Sequence, residues 1–209
     1  MRDAVRAVLV ILLGLGFAPG TFAETGVKVD PDWPCQQIKT PTFSLASVWA
    51  GPQLDLNSQS WRDEGDVADL TAKMAQRRVP IAEVESAIAG FKAKAGADAD
   101  SKLLAAFAGA FEELTQQRSE ILAGLDRFGR KQRALADRIR AENAAVQDSS
   151  SDKNGGAGQA QPGDDSEERL ELDIRVFDDR RQTISYVCEA PTLIEQRIGE
   201  IARAVQNAL

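Results

Sequence analysis

The chain has 209 residues, with 25 Lys and Arg against 32 Asp and Glu, and it contains no histidine. A net charge of −7 argues against a general binder of nucleic acid or of anionic membrane. The missing histidine removes the commonest general base, metal ligand and pH switch, and two cysteines are too few for a structural zinc site.

The first residues read as an address. MRDAVR is net-positive, Ala7–Ala18 is apolar and uncharged, and PGTFA ends on Ala23. That is the order of a secretory signal peptide, and its apolar core is shorter than the ~20 residues of a bilayer span. The alternative is an uncleaved anchor; no cysteine follows for lipidation and no twin arginine precedes. The expected mature chain is therefore Glu24–Leu209, periplasmic or secreted, with no transmembrane segment. A bias to alanine, arginine and aspartate favours bacterial coding and hence the periplasm.

In an N-terminal strap over 24–60, residues 24–42 have no helical period, and Pro31, Pro34 and Pro41 keep them extended. This N-terminal strap carries Trp33, Trp49 and Cys35, with a short helix expected over Ser44–Trp49 before Gly51-Pro52. A helix is predicted from Ser60 or Trp61 to Arg78, with Asp63, Glu64 and Asp66 at its positive end and Val67, Leu70 and Met74 on one face. Pro80 suits the first position of the next, whose stripe is Ile81, Val84, Ile88 and Phe91 and whose end is Gly96. Asp98 or Asp100 is placed to cap a third helix.

Ser101–Gln147 contains no proline. Leu104, Phe107, Phe111, Leu114, Ile121, Leu125, Phe128, Leu135 and Ile139 follow a seven-residue repeat, with Arg118 and Gln132 in its polar gaps. Such a helix must bury its seam against a partner. Asp148–Asp164 is a flexible linker by composition. The return segment steps through Leu170, Ile174, Phe177, Arg181, Ile184 and Cys188; Pro191 interrupts it with a kink or break, and Ile194, Ile198, Ile201 and Val205 come after it.

Two striped segments around a linker predict an antiparallel hairpin, pairing Gln147 with Ser166 and Leu125 with Cys188. Basic residues from Arg127 to Arg140 are expected to face the acidic residues from Asp165 to Asp179 across it. In an oxidising compartment Cys35 and Cys188 pair. The seam cannot be a filled helix pair where Cys188 reaches Cys35, so the hairpin opens there into a head.

The predicted fold is all-α: a long antiparallel helical hairpin, a coiled-coil-like arm, on a small helical head with an extended N-terminal strap. The segments are a signal peptide (1–23), the strap (24–60), the head with the start of the long helix (61–125), the arm (126–187) and a C-terminal helix returning to the head (188–209). Trp33, Trp49 and Trp61 plug gaps under a strap laid across the head, or form an exposed patch that grips a partner.

The function expected is a non-catalytic interaction, adaptor or chaperone-like module, monomeric or homodimeric, whose partner is another envelope protein. No catalytic residue, metal site or cofactor is assigned, and no nucleic acid is expected. One alternative is a small-ligand-binding or sensory bundle using Trp49, Arg118 and Tyr186. Arg118 and Gln132 otherwise set the register, and Tyr186 otherwise packs under the strap. Another alternative is a carboxylate-only hydrolase, for which Glu64, Asp66, Glu83 and Glu85 are the available acids and a raised pKa in a cleft is the requirement.

Overall fold

The computed structural model describes residues 30–153 and 163–209. The expected signal peptide and the centre of the expected linker lie outside these residues. The fold is all-α, with no strand among the described residues. Helix α1 spans Gly65–Ala75, α2 Ile81–Ala95, α3 Ala99–Lys153 and α4 Gly163–Ala208, with single 3₁₀ turns at Leu45–Ser47, Ser60–Arg62 and Gly96–Asp98.

The first predicted helix is divided. Trp61 sits in a separate 3₁₀ turn, and α1 starts only at Gly65 and stops at Ala75, because Glu64 and Gln76 on either side are extended. Arg197 of α4 occupies the carbonyls exposed at that end, donating to the oxygens of Met74 (3.3 Å) and Gln76 (3.1 Å). Pro80 caps α2, and its carbonyl accepts from Glu83 and Val84. Gly96, at φ +63°, turns the chain from α2 into α3 in a conformation that glycine alone takes without cost.

The head core joins Val67, Leu70 and Met74 of α1, Val84 and Ile88 of α2, and Ile194, Ile198, Ile201 and Val205 of α4 to the first third of α3. There α3 buries Leu103, Ala106, Phe107, Ala110, Phe111 and Leu114, a stripe wider than the predicted repeat. Leu104 is only half-buried, since α3 is here enclosed by several helices and Leu103 faces them better.

Beyond Leu114 the core narrows to a small cluster of Leu122, Leu125 and Cys188, with Trp33, Cys35, Ile121 and Ile184 against it. Past that point α3 and α4 continue as a two-helix arm for roughly 40 Å at the helical rise. Its register is close to the expected one: Arg118 meets Glu195, Gln132 donates to the carbonyl of Phe177 at 3.2 Å, and Arg138 grips Asp173.

Three expectations are corrected. First, Pro191 neither ends nor divides the return segment; α4 runs through it, so residues 188–209 are not a separate helix. Proline in a helix interior costs about 3 kcal/mol, and Cys188 on one side and Ile194 and Ile198 on the other are all buried and anchor the flanking turns. Second, helix persists into the expected linker, over 148–153, where the Ser149 hydroxyl donates to the carbonyl of Val146. Third, the basic run does not pair broadly across the hairpin. Arg138 reaches Asp173, but Arg133 turns to Asp32 of the strap and Arg140 to Asp137 of its own helix. Arg127, Arg130 and Lys131 are exposed. Partners three residues away, and a strap lying on this side of α3, compete with the opposite helix.

Candidate functional site

The seven residues singled out in the sequence occupy five separate places. Cys35 and Cys188 are joined, with Cα atoms 5.6 Å apart. Trp33 lies beside them, half-buried on Leu122 and Leu125, its indole N–H donating to the carbonyl of Gln37 at 2.7 Å. Trp49 packs on Phe107 with centroids 4.6 Å apart and donates to the carbonyl of Pro52. Trp61 is buried against Gly109, where a Cβ would come within 2.6 Å of its ring, and Arg62 lies over its outer face at 4.0 Å. Trp61 is thus buried, while Trp33 and Trp49 pack on the helices half-exposed.

Trp49, Arg118 and Tyr186 do not converge. Trp49 belongs to the head, Arg118 to the hairpin seam, and Tyr186 is 79 % exposed on the outside of α4. A ligand site built from these three is therefore ruled out, and so is the packing of Tyr186 under the strap: its position points away from the seam.

Arg118 is the organising residue. It is 2 % exposed, and its Nε donates to Glu195 of α4 at 2.6 Å. Its Nη2 donates to the Thr40 carbonyl (2.6 Å) and hydroxyl (2.8 Å), and its Nη1 reaches the carbonyl of Pro41 at 3.4 Å. One planar donor group thus binds α3, α4 and the strap together, a geometry that a lysine cannot reproduce.

The strap also reaches beyond the head. Residues 30–39 lie along α3 at the root of the arm. Lys39 bridges Asp30 and Asp126, each at 2.7 Å, and Asp32 meets Arg133 at 3.0 Å. The backbone can come this close because residue 129 is glycine: a Cβ there would stand 1.6 Å from the carbonyl oxygen of Asp32. The Lys39 ammonium and the Asp32 amide hold the Asp30 carboxyl below the ordinary aspartate range. Hydrogen bonds to Asp126 and Asp30 raise Lys39 in turn.

Sequence reasoning did not find Lys39, Asp30, Asp32, Asp126 or Gly129. The glycine was the available signal, since a glycine inside a long helix costs about 1 kcal/mol unless something approaches it.

Of the acids considered for hydrolysis, two are held in ion pairs with lysines. Glu64 pairs with Lys102 at 2.6 Å and Glu83 with Lys73 at 2.7 Å. Asp66 lines an open groove of about 460 Å³ between α1, α2 and α3, with Asp69, Lys73, Lys94 and Lys102 around it. Elsewhere in the head, burial alone would raise Glu112; Arg62 and the Trp61 N–H outweigh it and bring the carboxyl below its ordinary value. A general acid needs the opposite direction. Among the described residues no group of acidic, cysteine or histidine side chains is arranged to hold a metal, and no helix is long and apolar enough to cross a membrane.

No family model, curated protein or solved structure matches the chain.

Proposed function

We propose that this is a non-catalytic interaction module of the bacterial envelope, exported by the segment before Glu24, whose arm presents a binding surface to another protein at a fixed distance and direction from the head. The observation that carries this reading is the reinforcement at the arm's root. Clustered there are the Cys35–Cys188 bridge, the Lys39 link to Asp126, the Arg133–Asp32 pair and the Gly129 contact. Arg118 adds its tripartite link just below.

The seam already links the two helices of the arm to each other. Cross-links from a third segment chiefly resist pivoting of the arm against the head. That stiffness matters to a protein whose arm must meet a partner in one orientation, because preorganisation lowers the entropy lost on binding.

The test is site-specific photo-crosslinking in cells that make the protein, from outward arm positions such as Arg127 and Arg180 and from Gly90 in the head. Arm positions are expected to yield one defined protein that rebinds the purified chain after identification. Crosslinking from the head alone, or from nowhere, overturns the reading.

A further inference from the structure

The strap divides at Thr40 into two parts held in different ways. From Thr40 onward, Arg118 grips the carbonyls of Thr40 and Pro41, and Phe43, Leu45, Val48, Trp49 and Leu54 pack on the head core. Residues 30–39 have no such seat. Their hydrogen bonds are local: the Trp33 amide donates to the Asp30 carbonyl, the Asp32 amide to the Asp30 carboxylate, and the Trp33 indole to the Gln37 carbonyl. Among the described residues, their backbone makes no hydrogen bond to α3 or α4. Gln36 and Gln37 are exposed, and Ile38 is 74 % exposed.

Four things fasten this part to the root of the arm: the Lys39–Asp126 pair, the Asp32–Arg133 pair, the packing of Trp33 and the Cys35–Cys188 bridge. Both ion pairs are partly open to solvent, where such pairs contribute little. A stretch of this length loses much chain entropy when it is ordered. The covalent bridge is therefore the main fastening.

The bridge is also within reach of solvent. Cys188 is buried, but Cys35 is half-buried, and both line an open groove of about 320 Å³ between the strap and α4. Arg181 and Glu189 also line it, one charge of each sign, so the groove presents no net charge to repel a thiolate. The head core contains neither cysteine, so its packing does not run through the bridge.

We propose that Cys35–Cys188 is a redox-sensitive latch: a dithiol reductant opens it in the folded protein, and residues 30–39 then leave the arm's root while the head stays folded. A thiolate of the reductant attacks Sγ of Cys35, the more exposed sulfur, and expels Cys188 as a thiolate, which takes up a proton. The reductant's second thiolate then attacks the mixed disulfide and expels Cys35, which is protonated in turn. Both electrons come from the dithiol, which ends as a disulfide. Opening uncovers Leu122 and Leu125 of α3, on which Trp33 and Cys35 lie in the oxidised protein. The arm then keeps Arg118 as its link to the strap. This goes beyond the module reading, which stands or falls on the crosslinking result alone.

The probe is dithiothreitol, added to the full chain in buffer and in unfolding urea, with new thiols trapped by alkylation and read by mass spectrometry. Reduction in buffer is expected within about tenfold of the rate in urea. A bridge reached only by global unfolding would react slower by the folded-to-unfolded ratio, about 10³ or more, and that result overturns the proposal. Held in dithiothreitol, the protein should keep its helical circular dichroism. Trypsin cleavage after Lys39 should rise by about tenfold or more as this part of the strap opens, with cleavage after Arg62 unchanged. Loss of helix on reduction, or unchanged cleavage after Lys39, overturns the proposal. The double variant Cys35→Ser, Cys188→Ser should match the reduced protein without reductant and no longer respond to it; slow cleavage after Lys39 in this variant would show that the bridge is not what holds the strap.

Discussion

Gly129→Ala isolates the contact between strap and arm. In an exposed helix interior, replacing glycine by alanine ordinarily stabilises by about 1 kcal/mol. Two other helical glycines offer that comparison in the same molecule. A Cβ on Gly90 meets nothing within 4 Å, and one on Gly124 meets only the end of the Arg127 side chain at 3.8 Å. At Gly129 the new Cβ would stand 1.6 Å from the Asp32 carbonyl oxygen. An ordinary C···O approach is about 3.3 Å or more, so the strap has to retreat by roughly 2 Å. That separates Asp32 from Arg133 and pulls Lys39 from Asp126, which sit at 3.0 and 2.7 Å. The cross-link at Cys35, three residues along from Asp32, keeps the strap from leaving altogether. The helix-propensity gain is thus set against several lost strap contacts, and the net expectation is destabilisation by about 1–3 kcal/mol. Urea unfolding of the oxidised proteins measures it, and in a chain of this size each kcal/mol moves Tm by about 2–4 °C. Gly90→Ala and Gly124→Ala should rise in Tm while Gly129→Ala falls. A Gly129→Ala protein as stable as Gly124→Ala would refute the strap's seat on the arm.

Arg118→Met should cost about 3 kcal/mol, because it leaves Glu195 and the Thr40 and Pro41 carbonyls without their donor; Arg118→Lys should recover only part of this in urea titrations. Removing the disulfide by Cys35→Ser with Cys188→Ser should lower stability by about 5 kcal/mol in the chain-entropy model, given its sequence separation of 153, and a loss under about 1 kcal/mol would count against that account. The strap should loosen at both ends of the pH scale. The lowered Asp30 contributes stability above the ordinary aspartate value of 3.8 that is lost as pH falls through its folded value, and the raised Lys39 contributes stability below 10.5 that is lost as pH rises through its folded value. Limited proteolysis near Trp33 across pH should show a protected plateau between, and Lys39→Met should abolish its alkaline edge.

Much of the fold is legible in the sequence because its signals are local. The stripes of α1 and α2, Pro80 and Gly96 as boundaries, and the repeat through Leu114 and Leu125 each follow from helical spacing. The hairpin register is legible too, since two stripes and one linker leave few ways to pair. The features that escape depend on tertiary competition. Pro191 reads as a kink or break, and α4 runs through it without a break. The arginines of α3 read as partners of α4, yet Asp32 of the strap and Asp137 lie nearer. Arg118 reads as a polar gap in the seam, but its link to Thr40 joins residues far apart in sequence that no periodicity connects.

Two polar links along the arm show how its direction is set. Gln132 donates to the Phe177 carbonyl, and Arg138 holds Asp173, so each fixes α3 against α4 along the arm. Neither fixes the pair against the head. That role falls to Arg118, which touches α4 and the strap at once, and to Cys188, which is at the same time a seam residue of the hairpin and the anchor of the strap. A hairpin slipped by one turn would move Cys188 about 5.4 Å along the axis, beyond what a disulfide tolerates without backbone movement. Covalent closure of the strap and the register of the arm are therefore one constraint: forming either correctly selects the other. Refolding the reduced protein with Arg118→Met should consequently slow formation of the Cys35–Cys188 bridge by about tenfold or more if the roughly 3 kcal/mol link is made before closure, and an unchanged rate would place closure ahead of register.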